Sequence, residues 1–411
     1  MDVAWRWLDG QAVSGETEKM RAEYGDADVR KMRGEEFWAN AAERRAWEGL
    51  WSCGSDAVHC QLWGWQSAYW RYRNPAFPLF ALRVGETEPL LLAAFERARD
   101  VESGLTKLCF LGNTRADYNV MLARPDLPVD VGVEALEHLV KAAGRSVPFI
   151  EFQNVPAESW SGHVVKALYE RLPRNRTSLR TRGTFAIDLP GSVDEYISHL
   201  GAGTRWRFRH DIRRLESEHK VDFKTYRDAS EECLQAIETI DRARWGVESR
   251  YRVPARRQFE RAVARAMAER GIYLAIILIL DGRPAAFLWG SVVRDRLLQD
   301  RTGYDRALPR DLHVGMLVNF YAARLAVQLG LKVFDLTRGR ESYKQRLGAA
   351  EHTNLHLRSY RSVLDRRITR SCEAIMARLQ SSKALMRAFH ELRGGRLRQL
   401  PRQLLRPRLR A

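Results

Sequence analysis

The most informative part of this chain is the stretch FDLTRGRESYKQRLGA, residues 334–349. It begins as an apolar strand that carries one carboxylate, Asp335, and continues through a glycine-containing bend to a Tyr-Lys pair, Tyr343 and Lys344, and a second glycine, Gly348. Charged groups at the end of a strand are where α/β proteins commonly place their chemistry. The stretch therefore predicts a functional site beside a buried strand.

The segments that lead into this stretch alternate between strands and helices. IYLAIILIL and AAFLWGSVV, joined by the turn signal Asp281-Gly282, predict a β-hairpin, and RLLQDRTGYD predicts a third strand. LHVGMLVNFYAARLAVQLG, which ends at Gly330, is apolar on nearly every face and predicts a buried helix. The strand of Asp335, a short helical piece and a last strand, NLHLRSYR, complete the order.

The first part of the chain shows a similar alternation. FPLFALRV, PLLLAAFERA and KLCFLG predict strands, VEALEHLVKAAGR predicts a helix, and VPFIEFQNV predicts a strand after it. The basic, turn-rich segment YERLPRNRTSLRTRG predicts a domain boundary near Arg174, since 411 residues exceed one ordinary core. We expect an α/β (α+β) protein with a loose lead-in over residues 1–30, domains over 31–173 and 174–365, and a basic helix or tail over 366–411.

Composition excludes several classes of protein. No apolar run reaches the length of a membrane-spanning helix, and the first residues show no export signal, so we expect a cytoplasmic protein. The five cysteines and ten histidines show no metal-ligand spacing, which predicts reduced thiols and no metal site. The sequence also contains neither a nucleophilic-serine elbow nor a GKS/GKT phosphate loop, which argues against a serine hydrolase or a P-loop NTPase.

The net charge of +17 indicates an anionic partner. Part of the charge lies in the segment LRGGRLRQLPRQLLRPRLRA, which holds seven arginines and no acid. One interpretation is a solvated extension. The other is a basic strip that touches an anionic membrane or RNA, because leucines alternate with the arginines.

Three blocks of sequence carry a resemblance to a known family: LCFLGNTRADYN in the first half, TRWRFRHDIRRLE in the middle, and the Gly315 helix followed by residues 334–349. They resemble the GNAT acyltransferase superfamily, and more closely the CelD-like acetyltransferases of cellulose and exopolysaccharide synthesis, which are related to Fem-type peptidoglycan aminoacyltransferases. The resemblance covers most of the chain, as far as about Arg361. It implies two GNAT-like domains, the first degenerate, each a mixed and mostly antiparallel sheet flanked by helices.

The resemblance also implies the reaction. A GNAT enzyme transfers an acetyl or other acyl group from coenzyme A to an amine or hydroxyl, here of a small polar, sugar-type or amino-acid-type acceptor. Coenzyme A thioester would be the co-substrate, and no covalent enzyme intermediate would form. Positioning of thioester and amine supplies much of the rate in such direct transfers.

Gly315 lies in the first turn of the predicted buried helix, where free backbone N–H groups make an anion site. In the superfamily a loop R/Q-x-x-G-x-G/A binds the coenzyme A pyrophosphate here. LHVGML keeps the first glycine and has Leu312 at the basic position. The resemblance therefore implies a cofactor site at Gly315, Arg310, His313 and Met316. The alternative for the glycine is close helix packing.

Asp335 must be paired, hydrogen-bonded or functional, because an unpaired carboxylate in an apolar strand is costly. It is a candidate for the base that deprotonates the acceptor amine, or for a buried ion pair with Arg338 or Lys344. Lys344 is a candidate for stabilising the thioester oxyanion or holding a phosphate, or it is solvent-exposed. Tyr343 and Tyr304 are candidates for the acid that protonates the departing thiolate, or are core tyrosines.

The candidate acceptor site begins with an arginine stripe at Arg205 and Arg209, beside Trp206. Such a stripe is either a solvated helix face or a site for an anionic acceptor such as a sugar phosphate, a nucleotide-linked sugar or an RNA end. Trp245 and Arg244 are candidates for lining the acceptor cleft, and Arg338 completes the predicted substrate-binding group.

Two rival functions stay open on the sequence alone. A Fem-type transferase that uses aminoacyl-tRNA would account for the positive charge. A catalytically inactive GNAT scaffold that binds nucleic acid or an envelope-synthesis partner would account for the incomplete pyrophosphate loop. The enzyme hypothesis rests on one geometric expectation: two neighbouring strands separate after residue 300 and admit a pantetheine arm that points to the amides near Gly315.

Overall fold

The computed structural model describes residues 23–73, 75, 77–143 and 146–381. These residues form one continuous sheet of thirteen strands. The strands are, in chain order, β1 Ala27–Met32, β2 Leu79–Val84, β3 Leu91–Arg99, β4 Thr106–Phe110, β5 Leu122–Ala123, β6 Phe149–Pro156, β7 Thr177–Asp188, β8 Val221–Tyr226, β9 Tyr273–Leu280, β10 Arg283–Val293, β11 Arg296–Tyr304, β12 Val333–Arg338 and β13 Ala350–Tyr360.

Twelve α-helices connect and cover these strands in the described residues. They are α1 Gly34–Ala39, α2 Ala41–Cys53, α3 Trp63–Arg73, α4 Val129–Ala143, α5 Trp160–Arg171, α6 Val193–His199, α7 Ala202–Glu218, α8 Glu231–Trp245, α9 Pro254–Glu269, α10 Val314–Gln328, α11 Ser342–Arg346 and α12 Val363–Ser381. No helix in the described ranges has the length and apolarity needed to cross a membrane.

The elements after residue 270 follow the order expected from the sequence. Asp281 and Gly282 both have positive φ (51° and 78°) and turn the chain between β9 and β10. Helix α10 is apolar on most faces and ends before Gly330, whose φ of 70° stops the helix. The Ser192 side chain accepts a hydrogen bond from the Glu195 N–H at the start of α6.

The sheet order is β1-β2-β3-β4-β6-β13-β7-β12-β11-β10-β9-β8, with the short β5 beside β3. The two parallel pairs, β4 with β6 and β11 with β12, lie in corresponding places of the two halves, and all other pairs are antiparallel. Strands β7 and β13 are exchanged where the halves meet. Strand β7, which follows the first half in the sequence, pairs with β12 of the second half, and β13, near the end of the described residues, pairs with β6 of the first half. The exchange makes one sheet of the two halves.

Three apolar clusters hold the helices against this sheet. One lies over the first half and includes α4 and α5. The other two lie on opposite faces of the second half, because alternate residues of β9 belong to different clusters: Leu274 and Ile276 pack with α10, whereas Ala275 and Ile277 pack with α8 and α9. The cluster of α8 and α9 extends over the first half as well, where it includes α1, α2 and α3. Helices α8 and α10 therefore cover opposite faces of the sheet.

A buried ion cluster joins β13 to the first half. Glu151 on β6 is 0% exposed, and its carboxylate accepts hydrogen bonds from Lys107, Asn113 (2.9 Å), His356 (3.0 Å) and Arg358 (2.6 Å). Burial alone would raise the pKa of Glu151, but the hydrogen bond from His356 and the charges of Lys107 and Arg358 hold it well below its usual value. The carboxylate is therefore the counter-ion of two buried cations.

The predicted lead-in, domain boundary and C-terminal tail can each be compared with the observed helices and strands. Residues 27–30 of the expected lead-in form the start of β1. Arg174 lies in a short 3-10 helix directly before the exchanged strand β7, and a boundary there remains a prediction. Helix α12 begins the expected C-terminal helix or tail, while residues 382–411, with most of the basic tail, lie outside the described residues.

Candidate functional site

Strands β11 and β12 separate near residue 300, as expected from the sequence. Their parallel pairing ends at Leu298 and Asp335, after which β11 stays paired with β10 as far as Tyr304 and β12 stays paired with β7. A cavity of about 770 Å³ opens beyond this point. It is bordered by the end of β11, the starts of α7 and α10, the end of α8, and α11.

The corresponding position in the first half is filled. The pairing of β4 with β6 ends at Cys109 and Glu151, the third pair in that ladder as Leu298 and Asp335 are in theirs. Side-chain amides follow: Asn113 donates to Glu151, Gln153 donates to the Asn113 carbonyl (2.5 Å), and Asn119 donates to the Gln153 carbonyl (2.8 Å). These hydrogen bonds close the first-half gap, whereas the second-half gap is open.

The start of α10 borders the cavity through His313, Val314, Gly315 and Met316. The first N–H groups of a helix have no acceptor within it, so this turn offers donors to the cavity. A Cβ on Gly315 would lie 2.7 Å from the Tyr304 ring, which shows that the glycine also permits close packing. The close approach supports the packing explanation for this glycine, and the anion-binding role stays a prediction.

His313 joins α10 to α7. Its φ of 46° is left-handed, and its ring Nδ1 lies 3.0 Å from the buried carboxylate of Asp211. Arg310 is exposed in the preceding 3-10 turn and borders the cavity. The four residues predicted for the cofactor site, Arg310, His313, Gly315 and Met316, therefore all line the same cavity.

Tyr304 and Tyr343 also line the cavity. The Arg244 guanidinium lies 4.1 Å from the centre of the Tyr304 ring, a cation–π contact. Gln299 donates to the Tyr343 hydroxyl over 3.3 Å, and burial raises the pKa of Tyr343 to about 12. A hydroxyl with that pKa stays protonated at neutral pH, so Tyr343 can donate a proton.

Lys344 does not border the cavity, contrary to the sequence-based expectation. Its side chain is 1% exposed, and its ammonium donates to the carbonyls of Thr337 (3.3 Å) and Arg338 (2.7 Å) and lies 3.1 Å from the Glu341 carboxylate. Burial lowers the pKa of Lys344. Lys344 thus holds the bend before α11, where Thr337 has a φ of 58°, and positions residues that do reach the cavity.

Asp335 is likewise placed away from the cavity. It is 1% exposed, the Tyr118 hydroxyl lies 2.8 Å from both its oxygens, and the Thr337 N–H donates to it over 2.8 Å. Its ionic partner is Arg296 at 3.3 Å, rather than Arg338 or Lys344. Burial raises the pKa of Asp335 against the opposing charge of Arg296. The carboxylate joins the two halves, and its surroundings do not suit a base that must reach the acceptor.

We therefore expect Asp335→Asn to keep the acyl transfer that the sequence resemblance implies, because the amide oxygen can still accept from Tyr118 and Thr337. Loss of a general base would lower the rate about 10²- to 10⁴-fold instead. A raised folded pKa contributes stability below the ordinary value of 3.8 that is lost as pH rises through the folded value. The Asp335→Asn variant should not lose this stability as pH rises, and denaturant unfolding of wild type and variant at acidic and neutral pH will measure the difference.

Asp222→Asn, a substitution at an exposed position of β8, is the matched control. A reduced transfer rate in Asp335→Asn beside a normal rate in the control would restore the hypothesis that Asp335 is the base.

The predicted substrate-binding residues Arg205, Arg338 and Trp245 make contacts with other parts of the protein. Arg205 donates to the carbonyls of Ser198 (2.8 Å) and Leu200 at the end of α6, and neither it nor the exposed Arg209 borders the cavity. Arg338 is paired with Asp117. Trp245 lies behind Arg244, which stacks on it at 5.0 Å.

The sequence suggested no role for several side chains that border the cavity, among them Arg207, Asn319, Glu341 and Arg346. The helical period offered a signal for one of them, because Arg346 lies three residues after Tyr343 on the short helix α11. Arg207 belongs to the α7 face opposite the stripe that the sequence suggested. Its neighbours on that face, Thr204 and Asp211, line the cavity with it.

Comparison with known proteins agrees with this geometry. A family model described as "Acetyltransferase (GNAT) domain" matches residues 202–345, from α7 to α11, which include every residue that lines the cavity except Gly201 and Arg346. This part of the chain has the GNAT acyltransferase fold. The expected fold class, a mixed and mostly antiparallel sheet flanked by helices, is confirmed. No curated protein sequence matches the chain significantly.

Solved structures show the same fold over both halves. A conserved protein of unknown function from Bacteroides thetaiotaomicron is 12% identical with a TM-score of 0.52 and covers 77% of this chain and 97% of its own. L-PGS from Bacillus licheniformis is 12% identical with a TM-score of 0.51, and the match covers 80% and 96%. FemX is 10% identical with a TM-score of 0.49, over 80% and 96%. The first two matches show the fold alone, because their identities are low.

Proposed function

We propose that the protein is an N-acyltransferase that moves an acyl group, such as acetyl, from coenzyme A to an acceptor amine. The observation that carries the proposal is the separation of β11 from β12 beside the start of α10. After Leu298, the edge of β11 that faced β12 has no strand beside it, and a free strand edge binds an extended, amide-containing chain. Pantetheine is such a chain.

The residues present fit the rest of coenzyme A. The N–H groups of the first turn of α10 suit a pyrophosphate, and Arg310 and Arg207 bring positive charge to the same cavity. The incomplete glycine loop does not oppose this assignment, because Gly315, the glycine that is kept, is the one that borders the cavity. Tyr304, which packs against Gly315, would line the cavity beside the thioester.

The reaction needs a proton donor and a route for one proton. The acceptor nitrogen attacks the thioester carbonyl, the new C–N bond forms, and the C–S bond breaks as the oxyanion collapses. Tyr343 protonates the departing thiolate, because it borders the cavity and its hydroxyl accepts from Gln299, which leaves the hydroxyl proton free to be donated. The proton lost from the nitrogen passes to solvent through Glu341, a carboxylate that borders the cavity near Tyr343.

Ligand-induced stabilisation tests the proposal. A ligand at 100 times its Kd stabilises the folded state by about 2.7 kcal/mol, so acetyl-CoA should raise the Tm of the full chain. Two kinds of coenzyme A analogue serve as controls. Analogues without the phosphates test the contribution of the phosphates to binding, and analogues without a thioester test the contribution of the acyl group. A shift with tRNA and none with acetyl-CoA would favour a Fem-type transferase, and no shift with either would favour an inactive scaffold.

The finer assignments rest on the sequence resemblance. We place the protein in the cytoplasm, where acyl-CoA is available, and in exopolysaccharide or envelope synthesis as a CelD-like acetyltransferase. A degenerate first GNAT-like domain over residues 31–173 and a complete one over 174–365 belong to the same proposal. The closed first-half gap, with its Asn113 and Gln153 hydrogen bonds, supports this division of labour.

A further inference from the structure

Arg244, at the end of α8, reaches the cavity from the face of the sheet opposite α10. Helix α8 packs in the apolar cluster of α9, and α10 packs in the cluster on the other face. Yet Arg244 and Gly315 line the same cavity, because the cavity opens where the sheet is interrupted. An anion held by Arg244 is therefore bound at a different place from one held by the first turn of α10.

The Arg244 guanidinium has no protein acceptor for two of its nitrogens. Its Nε and Nη1 are buried and lack a hydrogen-bond partner among the described residues. The guanidinium stacks between two rings, 4.1 Å from the centre of Tyr304 and 5.0 Å from that of Trp245. Cation–π contacts fix the orientation of the group but supply no hydrogen-bond acceptor. Burying a guanidinium whose N–H groups lack acceptors costs free energy unless an anion or a water molecule accepts their hydrogen bonds.

The carboxylates that line the cavity do not supply that anion, since each is engaged elsewhere. Asp211 is paired with His313 at 3.0 Å, and Glu341 lies 3.1 Å from the Lys344 ammonium. Asp305 accepts from the Ala307 N–H at 2.9 Å. Meanwhile four arginines line the cavity, and within the described ranges none has a carboxylate at ion-pair distance; they are Arg207, Arg244, Arg310 and Arg346. The unpaired arginines of the cavity therefore carry more positive charge than one anionic group of a ligand would neutralise.

We propose that the acceptor is an anionic amine, whose carboxylate or phosphate is bound by Arg244. This inference rests on the proposed acyl transfer and names the class of its second substrate. The planar guanidinium, held flat between Tyr304 and Trp245, presents paired N–H groups that match carboxylate or phosphate oxygens. The acyl donor occupies the α10 side with its phosphates, and the acceptor enters from the α8 side with its own charge.

Transferase assays with matched acceptors test this directly. Thiol release from acetyl-CoA is measured with the full chain on two pairs of amines, glucosamine against glucosamine 6-phosphate and 1,5-diaminopentane against lysine, in which the second member adds one anionic group. We expect the anionic member of at least one pair to have a kcat/KM higher by about 10- to 100-fold, the factor typical of a hydrogen bond to a charged group. Arg244→Gln should bring this ratio close to one, and Arg244→Lys should give an intermediate ratio.

Arg242→Gln is the matched control, because it removes the same charge from an exposed position of α8 where Arg242 contacts Glu238. It should keep the wild-type ratio. Equal rates for both members of each pair, or an unchanged ratio in Arg244→Gln, would overturn the inference.

Sulfate binding tests whether Arg244 holds an anion, independently of catalysis. With saturating coenzyme A on the α10 side, sulfate should raise the Tm of wild type and Arg242→Gln by more than that of Arg244→Gln. Equal shifts, or a panel in which no anionic amine binds or reacts although acetyl-CoA binds, would also overturn the inference. If acetyl-CoA itself fails to bind, the proposed function fails, and the sulfate comparison without coenzyme A still decides whether Arg244 holds an anion.

Discussion

Glu151→Ala is expected to destabilise the protein by about 3 kcal/mol or more, because each buried donor that loses its acceptor costs about 1–3 kcal/mol. Asn113 and His356 lose the acceptor that Glu151 provides. Lys107 and Arg358 each lose one carboxylate, while Lys107 keeps Asp100 at 3.1 Å and Arg358 keeps Asp100 at 3.4 Å. Since whole domains are stable by only about 5–15 kcal/mol, the variant should lose a large part of its stability. Denaturant unfolding of the two purified proteins measures the difference.

Glu158→Ala is the control for this prediction, because its carboxylate is 89% exposed and lies 3.5 Å from Lys166. An exposed pair of that kind is worth about 1 kcal/mol or less. A depressed folded pKa means that Glu151 contributes stability above its ordinary value of 4.5, which is lost as pH falls through the folded value. A variant that loses no more than its control would show that the cluster is solvated and energetically unimportant.

Gly315→Val is expected to abolish acetyl-CoA binding and to lower the acyl-transfer rate about 100-fold or more, because small displacements of reacting groups have effects of that size. The new Cβ would lie 2.7 Å from Tyr304 and push the ring toward Arg244, and the methyl groups would enter the cavity. Binding is followed by calorimetry with acetyl-CoA, and turnover by thiol release.

Gly49→Val in α2 is the matched control, since Gly49 is exposed and a Cβ there meets nothing within 4 Å. Its activity should match wild type. If Gly315→Val binds acetyl-CoA as wild type does, the start of α10 is not the donor site.

The sequence predicted well those features that depend on neighbours in the chain. Alternating and continuous apolar runs predicted the β9–β10 hairpin, α10 and β12, because period and turn chemistry are local properties. The resemblance to GNAT enzymes, and not the local pattern, implied that Gly315, Tyr304 and Tyr343 belong to one site, and all three line the cavity. The roles assigned to them stay predictions.

Partners distant in sequence were beyond this reasoning. The sequence showed that Asp335 needs a partner but not that the partner is Tyr118, 217 positions away. In the same way Arg205 looked free on its helix, although it binds the carbonyl ends of α6, and Arg207 faces the cavity instead. These assignments depend on which strands adjoin, and the exchange of β7 and β13 leaves no trace in local periodicity.

That exchange has a consequence for synthesis on the ribosome. When residues up to Arg171 have been made, the edge of β6 has no neighbour, because its partner β13 spans Ala350–Tyr360, near the end of the chain. Glu151 then also lacks His356 and Arg358. The nascent first half must wait with an open strand edge for nearly two hundred further residues, so its co-translational maturation should depend on chaperones that shield such edges.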